Sequence, residues 1–306
     1  MTKKCVGCGV VLQNDNKDNL GYTPELTNDY CMRCFKLKNY GKEILANYKI
    51  DNKEIINRIN AKKVFTLFVT DFLNISNFVL KKFKAITNEK ALVISKKDLF
   101  PKNISIEKFL KNVKEYYHIK EDVYFVSVDE NLSSFYQNIS KYNNILVTGY
   151  TSAGKSSLIN KLMGSNILES IKESTTLDFI EVKNEECTMI DSPGFVYELD
   201  FPNCEAKKRI NPNIKSIKND QEIVIGNVAI KSNVDNNLIF YLPNNIDIIK
   251  HKRDINYANR INIPQNSDLV ILGMGFINIK NNCFLTTNMN LELLEVRDSL
   301  VGANHE

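Results

Sequence analysis

The stretch GYTSAGKSS at residues 149–157 constrains this chain more than any other feature. It follows the apolar run NILVT and precedes SSLINKLM, whose apolar residues fall at helical spacing. Gly149, Gly154, Lys155 and Ser156 satisfy G-x-x-x-x-G-K-[ST]. In that pattern the glycines let backbone N–H groups turn inward around phosphates, and the lysine ammonium bridges the β and γ groups. The serine hydroxyl ligates Mg²⁺, and the following helix points its positive end at the anion. Gly149, Ser152, Ala153, Gly154, Lys155, Ser156 and Ser157 are therefore expected to line a nucleotide phosphate site on an α/β sheet.

The surrounding texture agrees. VFTLFVTD (64–71), ALVIS (91–95), VYFVS (123–127), NILVTG (144–149) and CTMID (187–191) read as buried strands. EKFLKNVKEYY (107–117) and GKSSLINKLMG (154–164) read as helices, and the alternation indicates a parallel sheet with crossover connections. After about Cys204 the alternation stops, and EIVIGNVAI, NLIFYLP, IDIIKH, DLVILGMGFINI and CFLTT are strand-like. The expected organisation is a cysteine-bearing module over 1–45, an α/β nucleotide domain over 46–203 and a β-rich domain over 204–306.

Two further segments suit a phosphate site. Asp191-Ser192-Pro193-Gly194 follows the strand CTMI, where Asp191 can hold Mg²⁺ through water and the Gly194 N–H can touch a γ-phosphate. Between it and the loop stands Ser174-Thr175-Thr176, of which Thr176 can complete the Mg²⁺ shell. Lys155, Thr176 and Gly194 are thus the candidates for stabilising a transferring phosphoryl group.

A guanine site needs a base reader, and none stands in the usual place downstream. Asn-Lys-x-Asp supplies a carboxylate that accepts from the base N1–H and 2-amino group, and it rejects adenine because its own groups would be left unpaired. Downstream the candidate is His251-Lys252-Arg253-Asp254, which lies in the β-rich part and lacks the Asn. Upstream, Ser95-Lys96-Lys97-Asp98 follows the strand ALVI directly, and FVSVDE, with Ser127 and Val128, ends the next strand, where a loop N–H covers the base oxygen. A circularly permuted sheet assembles the same site with the base-reading strands first and the phosphate strands second.

The order SKKD, FVSVDE, GYTSAGKSS, STTLD, DSPGF resembles that of circularly permuted GTPases, and with two N-terminal cysteine pairs it resembles the YqeH type. CVGCGVVLQNDNKDNLGYTP, CMRCFKLKNY, VTDFLNIS and DLVILGMGF also look like signatures of that family. The resemblance implies GTP hydrolysis to GDP and phosphate, with Mg²⁺, and a role in assembling the small ribosomal subunit on its precursor and rRNA. The chain also departs from the family's pattern. Ser95 replaces the reader's Asn, so guanine preference is expected with weakened affinity. Ser152 stands where many relatives carry an Asn linked to potassium-stimulated hydrolysis, and Val128 replaces an Ala. Phe195 takes the place of a water-orienting Gln, so unaided hydrolysis is expected to be slow. The rival reading is a nucleotide-gated RNA-binding module with little hydrolysis, and Asp98 disfavours an ATPase.

Cys5-x2-Cys8 and Cys31-x2-Cys34, with 22 residues between, match a four-thiolate zinc site, a thiol redox pair being the alternative. So small a module has too little core to fold without its metal. Cys187, Cys204 and Cys283 are solitary and read as buried thiols. Arg33, Lys36, Lys38 and Lys42, with Phe35 and Tyr40 interleaved, can grip a nucleic-acid backbone, or form a solvated helix face. The three histidines are scattered, and a net charge of +4 does not of itself indicate a nucleic-acid binder. No apolar run reaches a membrane span and no signal peptide opens the chain, so a cytoplasmic protein is expected, and it is read as a monomer.

Overall fold

The structure, a computed structural model, describes residues 2–40, 51–164, 178–196, 204, 206–219, 221–252 and 257–302. In chain order the first part carries α1 (Met32–Tyr40), α2 (Asn52–Lys62), β1 (Phe65–Asp71), α3 (Asn77–Ala85), β2 (Lys90–Ser95) and α4 (Ile106–Tyr117). There follow β3 (Val123–Phe125), α5 (Ser133–Ile139), β4 (Asn144–Gly149), α6 (Lys155–Met163), β5 (Ile180–Lys183) and β6 (Thr188–Asp191). The remainder is β7 (Asn213–Ile217), β8 (Glu222–Ile225), β9 (Val228–Ser232), β10 (Asn236–Tyr241), β11 (Ile248–His251), β12 (Asn259–Ile263), β13 (Ser267–Ile271), β14 (Gly275–Ile279), β15 (Cys283–Thr287) and β16 (Leu294–Asp298). Contacts divide the chain into two interleaved units, one of residues 1–70, 81–95 and 124–197, the other of 71–80, 96–123 and 198–306.

The first unit is built on a six-stranded sheet in the order β3-β2-β1-β4-β6-β5. β4 runs parallel to both β1 and β6, and β5 closes the edge antiparallel to β6. Central parallel strands are covered on both faces, which is why they read as unbroken apolar runs. Leu67, Val69, Val93, Ile145, Val147 and Met189 pack with Phe135 and Ile139 of α5 and Leu158 and Ile159 of α6. The strand feeding the phosphate loop lies in the middle, and β1, β2 and β3 on one side of it all precede it in sequence. That is a circularly permuted order, with three strands of the sheet placed ahead of the phosphate-loop strand in sequence. All five strands expected for the α/β domain are present, as is the helix over 154–164, while the helix over 107–117 is α4 of the second unit; α2, α3, α5 and β5 were not anticipated.

At the N-terminus Cys5, Cys8, Cys31 and Cys34 are all buried together with Leu12. Gly9 N donates to the Cys5 carbonyl at 2.9 Å and Cys5 N to Val10 O at 2.8 Å, which folds the first pair into a tight knuckle.

The second unit holds α4 and two antiparallel sheets, β16-β13-β14-β10-β7 and β11-β8-β9-β15-β12. Ser105 caps α4 by accepting from Lys108 N, and Phe109, Val113 and Tyr117 form its buried face. Ile217, Leu238, Phe240, Leu269 and Ile277 of one sheet share a core with Ile223, Ile225, Ile230, Ile263 and Leu285 of the other. One buried ion pair, Arg297 with Asp268, stands in this unit at 3.4 Å. Among the described residues no helix is long and apolar enough to cross a membrane.

Candidate nucleotide site and cysteine cluster

The phosphate loop leaves β4 where a side chain has no room. Gly149 has φ of +144°, and a Cβ there would lie 2.0 Å from the Val69 carbonyl oxygen of β1. Ser152 adopts φ of +60°, a left-handed conformation that an Asn enters more readily than a Ser. Lys155 opens α6, and its buried ammonium donates to the Tyr150 carbonyl at 3.0 Å. Burial pulls its pKa below the ordinary lysine value, while the nearby Asp191 carboxylate opposes the shift. A phosphate anion at the helix N-terminus would restore the charge that burial disfavours.

Asp191 ends β6 beside Val147 of β4 and accepts from the Ser156 hydroxyl at 2.9 Å. A hydroxyl and a carboxylate oxygen are the hard donors that Mg²⁺ prefers, so this pair fits the ion. Ser156 and Asp191 would hold it, and the ion would neutralise charge on the β- and γ-phosphates. Thr176, with Ser174 and Thr175, lies outside the described residues, as do Lys42, Arg253, Asp254 and His305.

The segment Asp191–Phe195 is stitched to the loop. Phe195 N donates to Gly149 O and Thr151 N to Phe195 O, both at 3.0 Å. A Cβ on Gly194 would meet the Thr151 methyl at 2.9 Å and the Lys155 ammonium nitrogen at 3.0 Å, so only glycine lets this turn approach the lysine. Gly194 and Lys155 are thereby brought together. Phe195 is fully buried, with ring centroids 6.1 Å from Phe68 and 5.7 Å from Tyr150. Its ring packs between those two aromatic side chains in the core.

Ser95, at the end of β2, is buried and donates to the Ala153 carbonyl of the phosphate loop at 2.8 Å, with the Thr70 carbonyl at 3.3 Å. The short hydroxyl therefore ties the strand to the loop without an amide. Ser127 is buried two residues beyond β3, and its N–H donates to Glu130 Oε1 at 2.8 Å while its hydroxyl accepts from Asp129 N. Glu130 was missed, although S-x-x-E is the pattern in which a glutamate reaches back to a serine N–H. Val128 is exposed beside it, and Ala153 is buried in the loop. Lys96 and Asp98 fall in the second unit: Lys96 has φ of +62° and its ammonium lies 3.5 Å from Asp71, and Asp98 sits half-buried in the turn Lys97–Leu99.

The four cysteine sulfurs all lie within 4.8 Å of one another. Cys8 and Cys31 sulfurs are 3.8 Å apart, the edge of a tetrahedron whose metal–sulfur bonds are about 2.3 Å. Cys31 N donates to Cys5 Sγ at 3.2 Å, which suits a thiolate. Hydrogen bonds from Cys31, Cys34 and Cys8 pull the Cys5 thiol far down, and those with Cys31, Cys5 and Cys8 hold Cys34 up. Four buried sulfurs this close together form a cluster that could hold a metal ion. Nearby, Phe35 is exposed, and Lys38 is engaged by Tyr30, donating to its hydroxyl at 3.0 Å.

A permuted sheet with the phosphate loop at its centre, Asp191 against Ser156 and Gly194 against Lys155 defines a circularly permuted P-loop GTPase, a GTP-hydrolysing enzyme. The RsgA GTPase family profile matches residues 42–201, and the chain belongs to that family. A second profile, described as 50S ribosome-binding GTPase, matches residues 144–266. YqeH of Bacillus subtilis is 27% identical over 285 residues, covering 81% of this chain and 77% of its own. YjeQ from Thermotoga maritima is 20% identical with a TM-score of 0.35, over 46% of this chain and 51% of that one. The GDP-bound TM YlqF is 21% identical with a TM-score of 0.33, over 49% and 60%.

Proposed function

We propose that this GTPase acts as an assembly factor for the small ribosomal subunit, docking on its precursor through rRNA and leaving it after hydrolysis. In this reading Ser95, Lys96 and Asp98 read guanine with the Ser127–Val128 loop, and Gly149, Ser152–Ser157 and Gly194 hold the phosphates. Ser156, Thr176 and Asp191 serve Mg²⁺, and Cys5, Cys8, Cys31 and Cys34 hold zinc. The observation that most supports the base reading is the Ser95–Ala153 bond, because it ties the strand end that precedes Asp98 to the phosphate loop at 2.8 Å. The buried Phe195 supports slow hydrolysis until a partner contributes.

Sedimentation of the purified chain with small and large ribosomal subunits, in GTP-analogue and GDP states, tests the partner. Preferential binding to small subunits in the GTP-analogue state is expected. Binding to large subunits alone would overturn the assignment, and the second family profile makes that outcome worth measuring. Competition among GTP, GDP, ATP and XTP tests the base reading in the same preparation.

A further inference from the structure

The cysteine knuckle is joined to the sheet edge at Asp178. Asp178 N donates to the carbonyl of Cys8, itself one of the four sulfur donors, at 3.0 Å. The Asp178 carboxylate accepts from Lys4 at 2.9 Å, one position before Cys5, and from Arg58 of α2. The joint is tight, since a Cβ on Gly9 would lie 2.7 Å from Asp178 O and 3.0 Å from Ile180 Cγ1. Next to it the buried Phe179 ring carries the Arg58 guanidinium at 4.7 Å and the Lys62 ammonium at 4.9 Å.

From Asp178 the chain enters β5, whose Ile180 is paired with Asp191 of β6, and Asp191 accepts from Ser156. Helix α2 also reaches the far end of the same segment. Its first residue, the buried Asn52, donates to Val196 O at 2.8 Å and accepts from Val196 N at 3.1 Å. One helix therefore grips both flanks of the hairpin that presents Asp191 and Gly194, and the knuckle grips one of them.

We propose that Asp178 is a positioning residue that links the four-cysteine knuckle to the nucleotide site, so that metal binding by the knuckle and nucleotide binding are thermodynamically coupled. The mechanism is geometric. Without metal the knuckle cannot present the Cys8 carbonyl and Lys4 as a fixed pair of partners, and the start of β5 loses two of its attachments. Strand β5 then holds β6 less firmly, and the place of Asp191 against Ser156 is less sharply set. Linkage makes the effect reciprocal, so nucleotide must change metal affinity by the same factor that metal changes nucleotide affinity. The inference rests on the reading of the cysteine cluster as a metal site.

The test uses the full chain and zinc itself. Zinc affinity is measured by competition with a chelating dye, with and without saturating non-hydrolysable GTP analogue plus Mg²⁺. Nucleotide affinity is measured with zinc bound and stripped. The wild type is expected to show the same factor in both, about fivefold or more. Asp178→Ala should still bind one zinc per chain but shrink both factors below about twofold, and Asp178→Glu should restore part of them. Lys4→Met, which leaves the Arg58 contact in place, should fall between, and it carries the test if Asp178→Ala fails to fold. Lys3→Ala, which removes a surface pair with Asp29 and a bond to the Thr27 carbonyl but touches neither Asp178 nor the Cys8 carbonyl, should behave as wild type. Zinc bound by the wild type with no nucleotide dependence, or a wild-type factor retained in Asp178→Ala and Lys4→Met, would overturn the coupling alone. A chain that binds no zinc would overturn the metal reading and the coupling with it.

Discussion

The Ser95 hydroxyl lies 2.8 Å from the carbonyl oxygen of Ala153 and ties the end of β2 to the phosphate loop. A serine at this position was expected to weaken the base reader, because it lacks an amide. Its hydroxyl nevertheless supplies a donor to the loop carbonyl. Ser95→Ala removes that donor and leaves the carbonyl without this partner. A neutral buried hydrogen bond is worth about 0.5–1.5 kcal/mol net, so GTP affinity should fall by about two- to tenfold. Titration with a fluorescent GTP analogue measures it, and an unchanged affinity would show that the loop is held by its other contacts.

Base choice is proposed to lie with Asp98. Asp98→Asn exchanges an acceptor for a donor at the base edge, so binding should move from GTP towards XTP. Competition assays with both nucleotides read the change. Retained GTP preference would remove SKKD from the base site. The same substitution at Asp254 should leave base preference alone.

Much of this was legible because the relevant signals are contiguous. Leu67–Val69, Leu92–Ile94 and Leu146–Val147 are fully buried runs within parallel strands, and such runs stand out in a sequence. GYTSAGKS is a single local pattern, and so is each cysteine pair. What escaped notice depends on long-range contacts between common residues. Helix α2 buries only Asn52, Ile55 and Ile59, so its apolar stripe is too thin to see, yet it meets Asp178 and Val196. Strand β5 has four residues and no buried one, being an edge strand whose pairing with β6 defines it. The bonds Ser95–Ala153 and Asn52–Val196 span positions that no local rule connects.

Phe195 invites a substitution that should disappoint. Gln at this position would restore the residue type that orients water in other GTPases. Here the side chain is fully buried between Phe68 and Tyr150, and it is the backbone that pairs with Gly149 and Thr151. Phe195→Gln should therefore give no faster hydrolysis. It should also destabilise the chain by about 3–5 kcal/mol, the range of large-to-small aromatic substitutions in cores, since an amide would be buried in an apolar site. Single-turnover hydrolysis and a denaturant melt check both, and accelerated hydrolysis would show that the residue reaches the γ-phosphate.

The cysteine cluster should hold one zinc. Elemental analysis of the purified chain should find it, and Cys5→Ser or Cys31→Ser should lose it. Four sulfurs within 4.8 Å of one another leave the residues around them, chiefly Leu12 with Val10, Leu20 and Tyr30 at its margin, as the module's whole apolar core. Metal should therefore supply the module's order, and chelation should expose residues 2–34 to protease. A metal-free chain with protected N-terminal residues and four free thiols would overturn the zinc assignment.

The buried pair of Arg297 and Asp268 sets the last expectation, for the β-rich unit. Both side chains are wholly buried, and Asp268 also accepts from Asn278 Nδ2 at 2.9 Å and Leu300 N at 3.1 Å. Arg297 donates in turn to the Tyr117 hydroxyl at 3.2 Å and to the Ile75 carbonyl. Burial raises the Asp268 pKa above its ordinary value, with Arg297 opposing the shift, so the carboxylate depends on its partner to stay charged. Arg297→Met would leave that carboxylate and the Ile75 carbonyl without their cation. Breaking a buried pair from one side costs about 3–5 kcal/mol, whereas replacing both partners by apolar residues is often near neutral. The double variant Arg297→Met with Asp268→Leu should thus be more stable than Arg297→Met alone. Denaturant melts of the wild type and the three variants close the cycle, and strictly additive losses would show that the two groups do not depend on each other.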